Sequence, residues 1–200
     1  MSTFIDTYSF KMGFFDFFRD KKNKKSENNS SLFFHEDDFC QIELIPIENY
    51  DDAKSQLEKS SDFSREHFDG VGYTDIYLRS ENKFELERRK ILVRDLHNLL
   101  INVGFTEVGK VTTGYGQDYR VVPENTVGFG HDYSAIYYDY KSDFVTNIWL
   151  TQPFNIEKKK LIHFLTEVGK RWYLLLVDWE ASEVVHLSEE KAISKYLSSE

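Results

Sequence analysis

The sequence predicts an α+β fold in which a mostly antiparallel sheet carries helices mainly on one face. Three observations predict it. Amphipathic segments with helical period alternate with segments of period two, so strand runs and helix runs are mixed along the chain. Between residues 105 and 150, short polar or glycine-containing connections separate four strand-like segments, which is typical of an antiparallel meander. No internal repeat is visible.

Four helices are predicted. The clearest covers residues 81–104, where Leu92, Leu96, Leu99 and Val103 form one apolar stripe and Gly104 follows as a C-cap. A helix over 51–68 begins at two aspartates, which favour a helix N-terminus. A third helix is expected at 156–168, where Gly169 would end it, and a fourth at 188–197.

Eight strands are predicted from alternation or from continuous apolar character. The first, "DFCQIELIPI", places Cys40, Ile42 and Leu44 on one face. In chain order the strand segments are 38–47, 74–80, 105–111, 117–122, 133–140, 144–150, 171–179 and 184–187. The four between 105 and 150 constitute the meander.

The chain divides into an N-terminal arm and linker, residues 1–31, and a single domain, residues 32–200. In the arm, Phe10, Phe14, Phe17 and Phe18 fall on one helical stripe, and a lysine-rich run follows. One interpretation is an amphipathic helix that uses residues 8–25 on a membrane surface or in a partner's groove. The other is an arm that docks on the domain or has no fixed structure.

Composition narrows the function classes. A single cysteine, Cys40, excludes an internal disulfide and every zinc site built from several cysteines. No stretch reaches the roughly 20 apolar residues of a membrane-spanning helix, and the N-terminus does not read as a signal peptide. We therefore expect a cytoplasmic protein.

The negative charge is concentrated in one region. The chain has a formal net charge of −9, and residues 35–70 contain eleven acidic residues against three basic ones. Such a region repels nucleic acid, so we predict no nucleic-acid partner. It attracts basic proteins and accelerates their encounter, although acidic surfaces also serve solubility alone.

The segment "FFHEDDFCQIEL", residues 33–44, holds the densest group of ionisable side chains. If residues 35–43 were extended, His35, Asp37, Gln41 and Glu43 would share one face. A metal site needs three or four fixed ligands, and the other histidines show no ligand spacing. No nucleophile elbow, phosphate loop or dinucleotide fingerprint occurs. We predict no cofactor, and we expect a binding protein rather than an enzyme.

Tyrosines are concentrated in the predicted meander. Six of the chain's twelve lie between residues 115 and 140. Exposed tyrosines are common anchors in protein interfaces, but aromatic side chains also favour strands for structural reasons alone. The six are Tyr115, Tyr119, Tyr133, Tyr137, Tyr138 and Tyr140.

The segments "FFHEDDFCQIELIP" and "RWYLLLVDWEASEVVHLSEEKAISKYL" resemble bacterial immunity proteins of polymorphic toxin systems. Size, acidity and the lack of a catalytic motif agree with that resemblance, which extends over much of residues 33–197. It implies a protein that binds a cognate toxin and blocks it. The resemblance carries no functional residue with it, and the N-terminal arm departs from the pattern.

The leading hypothesis is a protein-binding module that neutralises a basic toxin. An enzyme with a site assembled from His35, Asp37 and His131 is the first alternative, and a peripheral membrane protein that uses residues 8–25 is the second. The predicted partner-binding residues are Glu36, Asp37, Asp38, Tyr115, Tyr119, Tyr138 and Tyr140.

Overall fold

The computed structural model describes residues 31–115, 118–122 and 124–198, and the side chains of 118 and 119 lie outside that description. The membrane-binding interpretation of residues 8–25 also lies outside the described residues. Ten strands and four helices are present in the described part. The strands are β1 (Ser31–His35), β2 (Ile42–Pro46), β3 (Glu107–Val108), β4 (Lys110–Tyr115), β5 (Asp118–Val121), β6 (Thr126–His131), β7 (Ser134–Lys141), β8 (Phe144–Thr151), β9 (Leu174–Asp178) and β10 (Glu183–His186). The helices are α1 (Tyr50–Glu66), α2 (Val93–Val103), α3 (Lys158–Trp172) and α4 (Glu190–Tyr196).

Seven strands form one antiparallel sheet in the order β10-β9-β2-β8-β7-β6-β3. Its half from β3 to β8 is an antiparallel meander that the β4–β5 hairpin interrupts. That hairpin joins β1 in a separate three-stranded sheet, in which β1 and β4 run parallel. The predicted α+β class with a mostly antiparallel sheet is confirmed.

Three of the four described helices cover one face of the large sheet. Leu96 of α2, Phe164 of α3 and Ile193 of α4 are buried in one core with Ile136 and Ile148, which point from β7 and β8. The apolar stripes of these helices therefore pack on the apolar side chains that alternate along the strands, as the sequence predicts.

The opposite face carries two separate coverings. Helix α1 packs Ala53 and Leu57 on Leu175 and Val177 of β9. The small sheet packs on a cluster farther along the large sheet, made of Leu32, Phe34, Val108, Val111, Ala135, Tyr137 and Trp149. Between the two coverings this face carries polar side chains.

The predicted helix over 81–104 is wrong in its first half. Residues Leu86–Arg89 form a short 3₁₀ helix, and the α-helix begins only at Val93. Strands β2 and β8 pair at two positions only, and Leu86 and Ile91 are buried where the strands separate. Filling this gap outweighs the local helical preference.

Two further strand predictions need correction. Residues 74–80 have no strand partner in the described structure and form an irregular segment. Strand β6 was predicted as a loop because of Gly128 and Gly130. A Cβ atom on Gly128 would lie 2.7 Å from Leu32 Cδ1. The absence of a side chain at this position of β6 therefore lets the small sheet approach the large one.

Gly169 also differs from its predicted role as a helix stop. Helix α3 continues to Trp172 and ends at Tyr173, which has a φ of 53°. A Cβ atom on Gly169 would lie 2.4 Å from the Leu187 carbonyl carbon. The glycine therefore permits close contact between α3 and the chain that follows β10.

We expect Gly169→Ala to lower the free energy of unfolding by about 1–3 kcal/mol, because the backbone at Leu187 must move. Gly72→Ala is the matched control, since no heavy atom lies within 4 Å of its Cβ position. It should change stability by less than about 0.5 kcal/mol. Urea denaturation of the two variants measures both values, and equal midpoints would contradict the packing role of Gly169.

Candidate functional site

The 35–38 cluster forms a turn rather than an extended strand. The N–H of Asp37 donates to His35 Nδ1 at 3.3 Å, and the N–H of His35 donates to the Asp38 carboxylate at 3.2 Å. Cys40 follows with a φ of 55°, outside β2. The condition for a shared face of His35, Asp37 and Glu43, an extended segment over residues 35–43, is therefore not met.

The turn brings part of the predicted binding set together at the end of the small sheet. The rings of His35 and Tyr115 lie 5.1 Å apart, and Glu36 forms an ion pair with Arg120 of β5. The Asp37 side chain is 80% exposed and Tyr115 is 67% exposed. Glu36, Asp37 and Tyr115 are thus available on one surface, whereas Asp38 caps the turn.

The other predicted tyrosines fare differently. Tyr138 is fully buried between the sheet and the helices, and its hydroxyl lies 3.3 Å from His97 Nδ1. Burial also raises the pKa of Tyr138. Its prediction as a surface anchor is corrected, because both faces of β7 are covered. Tyr140 is half-buried and donates to the Glu124 carbonyl, and the Tyr119 side chain lies outside the description.

The alternative enzyme site is not assembled as predicted. His131 Nδ1 lies 3.4 Å from the carboxylate of Asp132, and the His35 side chain contacts Asp37 and Tyr115. No contact joins His131 to His35 or Asp37 in the part of the chain that the structure describes. In the same part, no three His, Cys, Asp or Glu side chains are grouped as metal ligands.

A cavity of about 650 Å³ lies where β2 and β8 separate. Strand β2 contributes Glu43, β8 contributes Asn147, and Trp179 follows β9. The segment 77–82 also lines the cavity and contributes Tyr77, Arg79 and Asn82. This cavity was not predicted, since the separation of two strands leaves no local pattern in the sequence.

Glu43 is the most constrained carboxylate in this cavity. Its side chain is 14% exposed, accepts a hydrogen bond from Trp179 Nε1 at 2.9 Å and lies 3.4 Å from Arg79. Burial raises the pKa of Glu43, although Trp179 and Arg79 oppose the shift. Perturbed carboxylates inside a cleft are frequent in functional sites.

Polar side chains continue from Glu43 across the sheet. Asp139 of β7 accepts hydrogen bonds from Thr126 Oγ1 at 2.6 Å and from Asn147 Nδ2 at 3.3 Å. Burial raises the pKa of Asp139 and that of the Cys40 thiol, which also senses the charges of Glu43 and Asp139. A thiol with a raised pKa is a poor nucleophile, so cysteine chemistry is disfavoured here.

The segment 67–80, which we name the display loop, has an inverted apolar pattern. Ile76 and Leu78 point outward and are 79% and 84% exposed, while Tyr77 and Arg79 point inward. A hairpin precedes them, in which Gly70 has a φ of 95° and the Asp69 carboxylate accepts from the N–H groups of residues 71 and 72. The hairpin exposes three more large apolar side chains, which are Phe68, Val71 and Tyr73.

Specific contacts hold the display loop in this orientation. Arg79 stacks on Trp179, with Cζ 4.3 Å from the ring centroid, and donates to the Cys40 carbonyl at 3.3 Å. The N–H of Ser80 donates to Gln56 Oε1 at 2.9 Å, and the Tyr77 ring lies 5.5 Å from that of Phe63. Since inward contacts are polar or aromatic, the outward apolar side chains do not serve the core.

The acidic 35–70 region is partly neutralised on folding. Within the described residues, four arginines or lysines from outside the region form ion pairs with its acids, which compensates half of its excess negative charge. The pairs are Glu36–Arg120, Glu43–Arg79, Glu48–Arg89 and Asp52–Lys83. Acids near the display loop, such as Glu66, are exposed.

None of the described helices is both long enough and apolar enough to cross a bilayer. Comparison of the chain with protein-family models yields no match. Comparisons with curated proteins and with solved structures yield none either. Function is therefore inferred from the residues and their geometry.

We expect Glu43→Gln to change how stability depends on pH. The folded pKa of Glu43 is raised above its ordinary value of 4.5, so its contribution is complete below that pH and is lost as pH rises through the folded pKa. The free energy of unfolding of the natural protein, relative to that of Glu43→Gln, should therefore decrease as the pH rises above about 4.5. Urea denaturation between about pH 3 and pH 7 measures the difference, and this range also covers the control.

Asp69→Asn is the control with the opposite sign. Backbone hydrogen bonds from Gly72 and Val71 lower the pKa of Asp69, so the natural protein should gain stability relative to this variant as pH rises toward 4. A constant difference between the natural protein and Glu43→Gln across the range would contradict the role of burial at Glu43.

Proposed function

We propose that this protein is a cytoplasmic binding module for a basic protein partner and acts as an immunity-type inhibitor. The observation that carries the proposal is the display loop, which holds Ile76 and Leu78 outward while Arg79 is turned inward. The ion pair with Glu43 accounts for the inward position of Arg79, but Ile76 and Leu78 stay exposed and add nothing to the core. A partner that covers them would remove their apolar surface from water.

The exposed side chains are of the kind that stabilises protein interfaces. Five large apolar or aromatic residues between 68 and 78 are each more than half exposed. Exposed apolar side chains concentrated in one segment are frequent at interaction sites on proteins, and aromatic and aliphatic anchors that become buried there supply much of the binding free energy. Two of them, Phe68 and Tyr73, pack against each other, with their ring centroids 5.5 Å apart.

The charges around the display loop favour a basic partner. Residues 62–81 contain five acidic residues and two basic ones, and both bases are paired, Arg65 with Asp62 and Arg79 with Glu43. A negative rim around an apolar centre speeds the encounter with positive proteins and disfavours acidic ones. The same charge disfavours nucleic acid.

The surface at Glu36, Asp37 and Tyr115 is a second contact region in this proposal. Arg79 donates to the Cys40 carbonyl, so the display loop is attached directly to the turn that follows this region. The resemblance to immunity proteins supports an inhibitory role. The arrangement requires no cofactor.

Replacing both outward anchors should abolish tight binding. The partner is first isolated from the native host by affinity capture on the full-length protein and identified by mass spectrometry. We expect Ile76→Ser/Leu78→Ser to weaken its affinity at least roughly tenfold, because each lost anchor removes apolar contact. Ile101→Ser on α2 is the control, since Ile101 is exposed but lies on the opposite side of the sheet. Equal affinities of the double variant and the control would refute the display loop as the interface.

Charge reversal should slow association. We expect Glu66→Lys and Asp37→Lys to lower the association rate constant of the isolated partner, with the larger effect at low salt because screening then is weakest. Stopped-flow measurements at two ionic strengths check this. An unchanged rate for both variants would remove the acidic surface from the recognition mechanism.

A further inference from the structure

The cavity behind the display loop has features that the proposed interface does not use. It is a concave space of about 650 Å³ between the separated strands β2 and β8 and the 77–82 segment. Its floor holds the Glu43 carboxylate, which is largely buried, and its walls hold Tyr77 and Trp179. Ligand sites are usually concave, and the polar side chains that line this cavity decide which ligand it suits.

The chain itself shows which chemical group this environment accepts. The Arg79 guanidinium stacks on the Trp179 ring, lies 3.4 Å from Glu43 Oε1 and donates to the Cys40 carbonyl. A planar cation is thus held between an aromatic face, a carboxylate and a backbone oxygen. Guanidinium groups suit this combination better than ammonium groups, because they stack and donate in a planar fork.

Arg79 does not compensate the charge of the cavity. Glu81, Glu85 and Glu87 line it together with Glu43, and Arg79 is the single cation among the lining residues that the structure describes. The side-chain oxygens of Asn82 and Asn147 provide further hydrogen-bond acceptors. An anionic ligand would be repelled, and an apolar ligand would leave these groups without partners.

We propose that the cavity binds the guanidinium group of an arginine side chain that the basic partner inserts beside Arg79. The inference rests on the proposed function, because it names the side chain that such a partner would present behind the display loop. The arginine would approach the carboxylates of Glu81, Glu85 and Glu87 while the partner's apolar residues cover Ile76 and Leu78. Bidentate pairing with a carboxylate would fix its orientation.

The test uses the full-length protein and small probes, so it does not need the partner. N-acetyl-arginine amide is titrated into ¹⁵N-labelled protein, and the indole N–H signal of Trp179 is followed after assignment with Trp179→Phe. We expect a saturable shift of this signal, with the fully buried Trp149 unaffected. N-acetyl-citrulline amide, the neutral isostere, should bind at least tenfold more weakly. Equal shifts with citrulline, or no saturable shift with arginine, would overturn the proposal.

Matched variants locate the site. Glu43→Gln keeps the size and an acceptor oxygen but removes the charge, and Glu85→Gln removes a charge from the wall; each should weaken the arginine probe several-fold. Glu167→Gln on α3 makes the same charge change on the opposite face of the sheet and should leave binding unchanged. Binding that is equally strong in all three variants would also overturn the proposal.

Free arginine distinguishes a partner's side chain from a metabolite. The capped probe should bind at least as tightly as free arginine, since a protein side chain has no free α-groups. Tenfold tighter binding of free arginine would reject the side-chain assignment. The proposed interface fails separately, when Ile76→Ser/Leu78→Ser retains the partner, because that variant leaves the cavity carboxylates in place.

Discussion

The short pairing between β2 and β8 is the constraint on which the distinctive parts of this structure depend. The two strands share the pairs Ile42–Leu150 and Glu43–Trp149 and then separate, although β2 continues to pair with β9 as far as Pro46. The gap has to be filled, because backbone groups of a sheet cannot be left unpaired in a core. Residues 86–92 fill part of it: Leu86 and Ile91 are buried there, and the Val145 N–H donates to the Ile91 carbonyl at 2.9 Å. The cavity that Glu43 and Asn147 line occupies the rest.

The filled gap determines how the preceding chain is held. Asn49 fixes Phe84 with two hydrogen bonds to its backbone, at 2.8 and 3.0 Å, so the display loop must cross the sheet before it reaches that anchor. The loop passes Glu43, and burial of a carboxylate destabilises the folded state unless the carboxylate is paired and hydrogen-bonded. Arg79 and Trp179 provide those contacts. The outward position of Ile76 and Leu78 follows, since the strand-like alternation that turns Arg79 inward turns its neighbours outward.

Local periodicity predicted the elements whose environment is uniform along their length. Helix α1 and strands β7, β8 and β9 lie within a few residues of their expected bounds, because the apolar pattern of each is regular along its length. The sequence could not predict features that depend on distant contacts. Residues 81–92 were assigned to the predicted helix, but residues 86–92 lie in a gap between strands. Gly128 is required by Leu32, which lies far from it in the chain.

The candidate site shows the same limit. Glu36, Asp37 and Tyr115 were predicted and lie on one surface, because their exposure follows from their position at the ends of short elements. Tyr138 was misassigned because alternation identifies two faces of a strand but not whether both are covered. Glu43 was placed on the polar face of β2, yet nothing near it in sequence indicates that Trp179 and Arg79 converge on it.

The central position of β2 has a consequence for the order in which the protein can acquire its structure during synthesis. Strand β2 pairs on one side with β9, which lies far along the chain, and Glu43 pairs with Val177. Contacts between residues so distant in sequence form late and slow folding. The display loop leaves the ribosome long before Trp179, on which its Arg79 is stacked. A nascent chain therefore carries the exposed apolar residues of this loop without the anchor that orients them until Trp179 has been synthesised and has folded against Arg79.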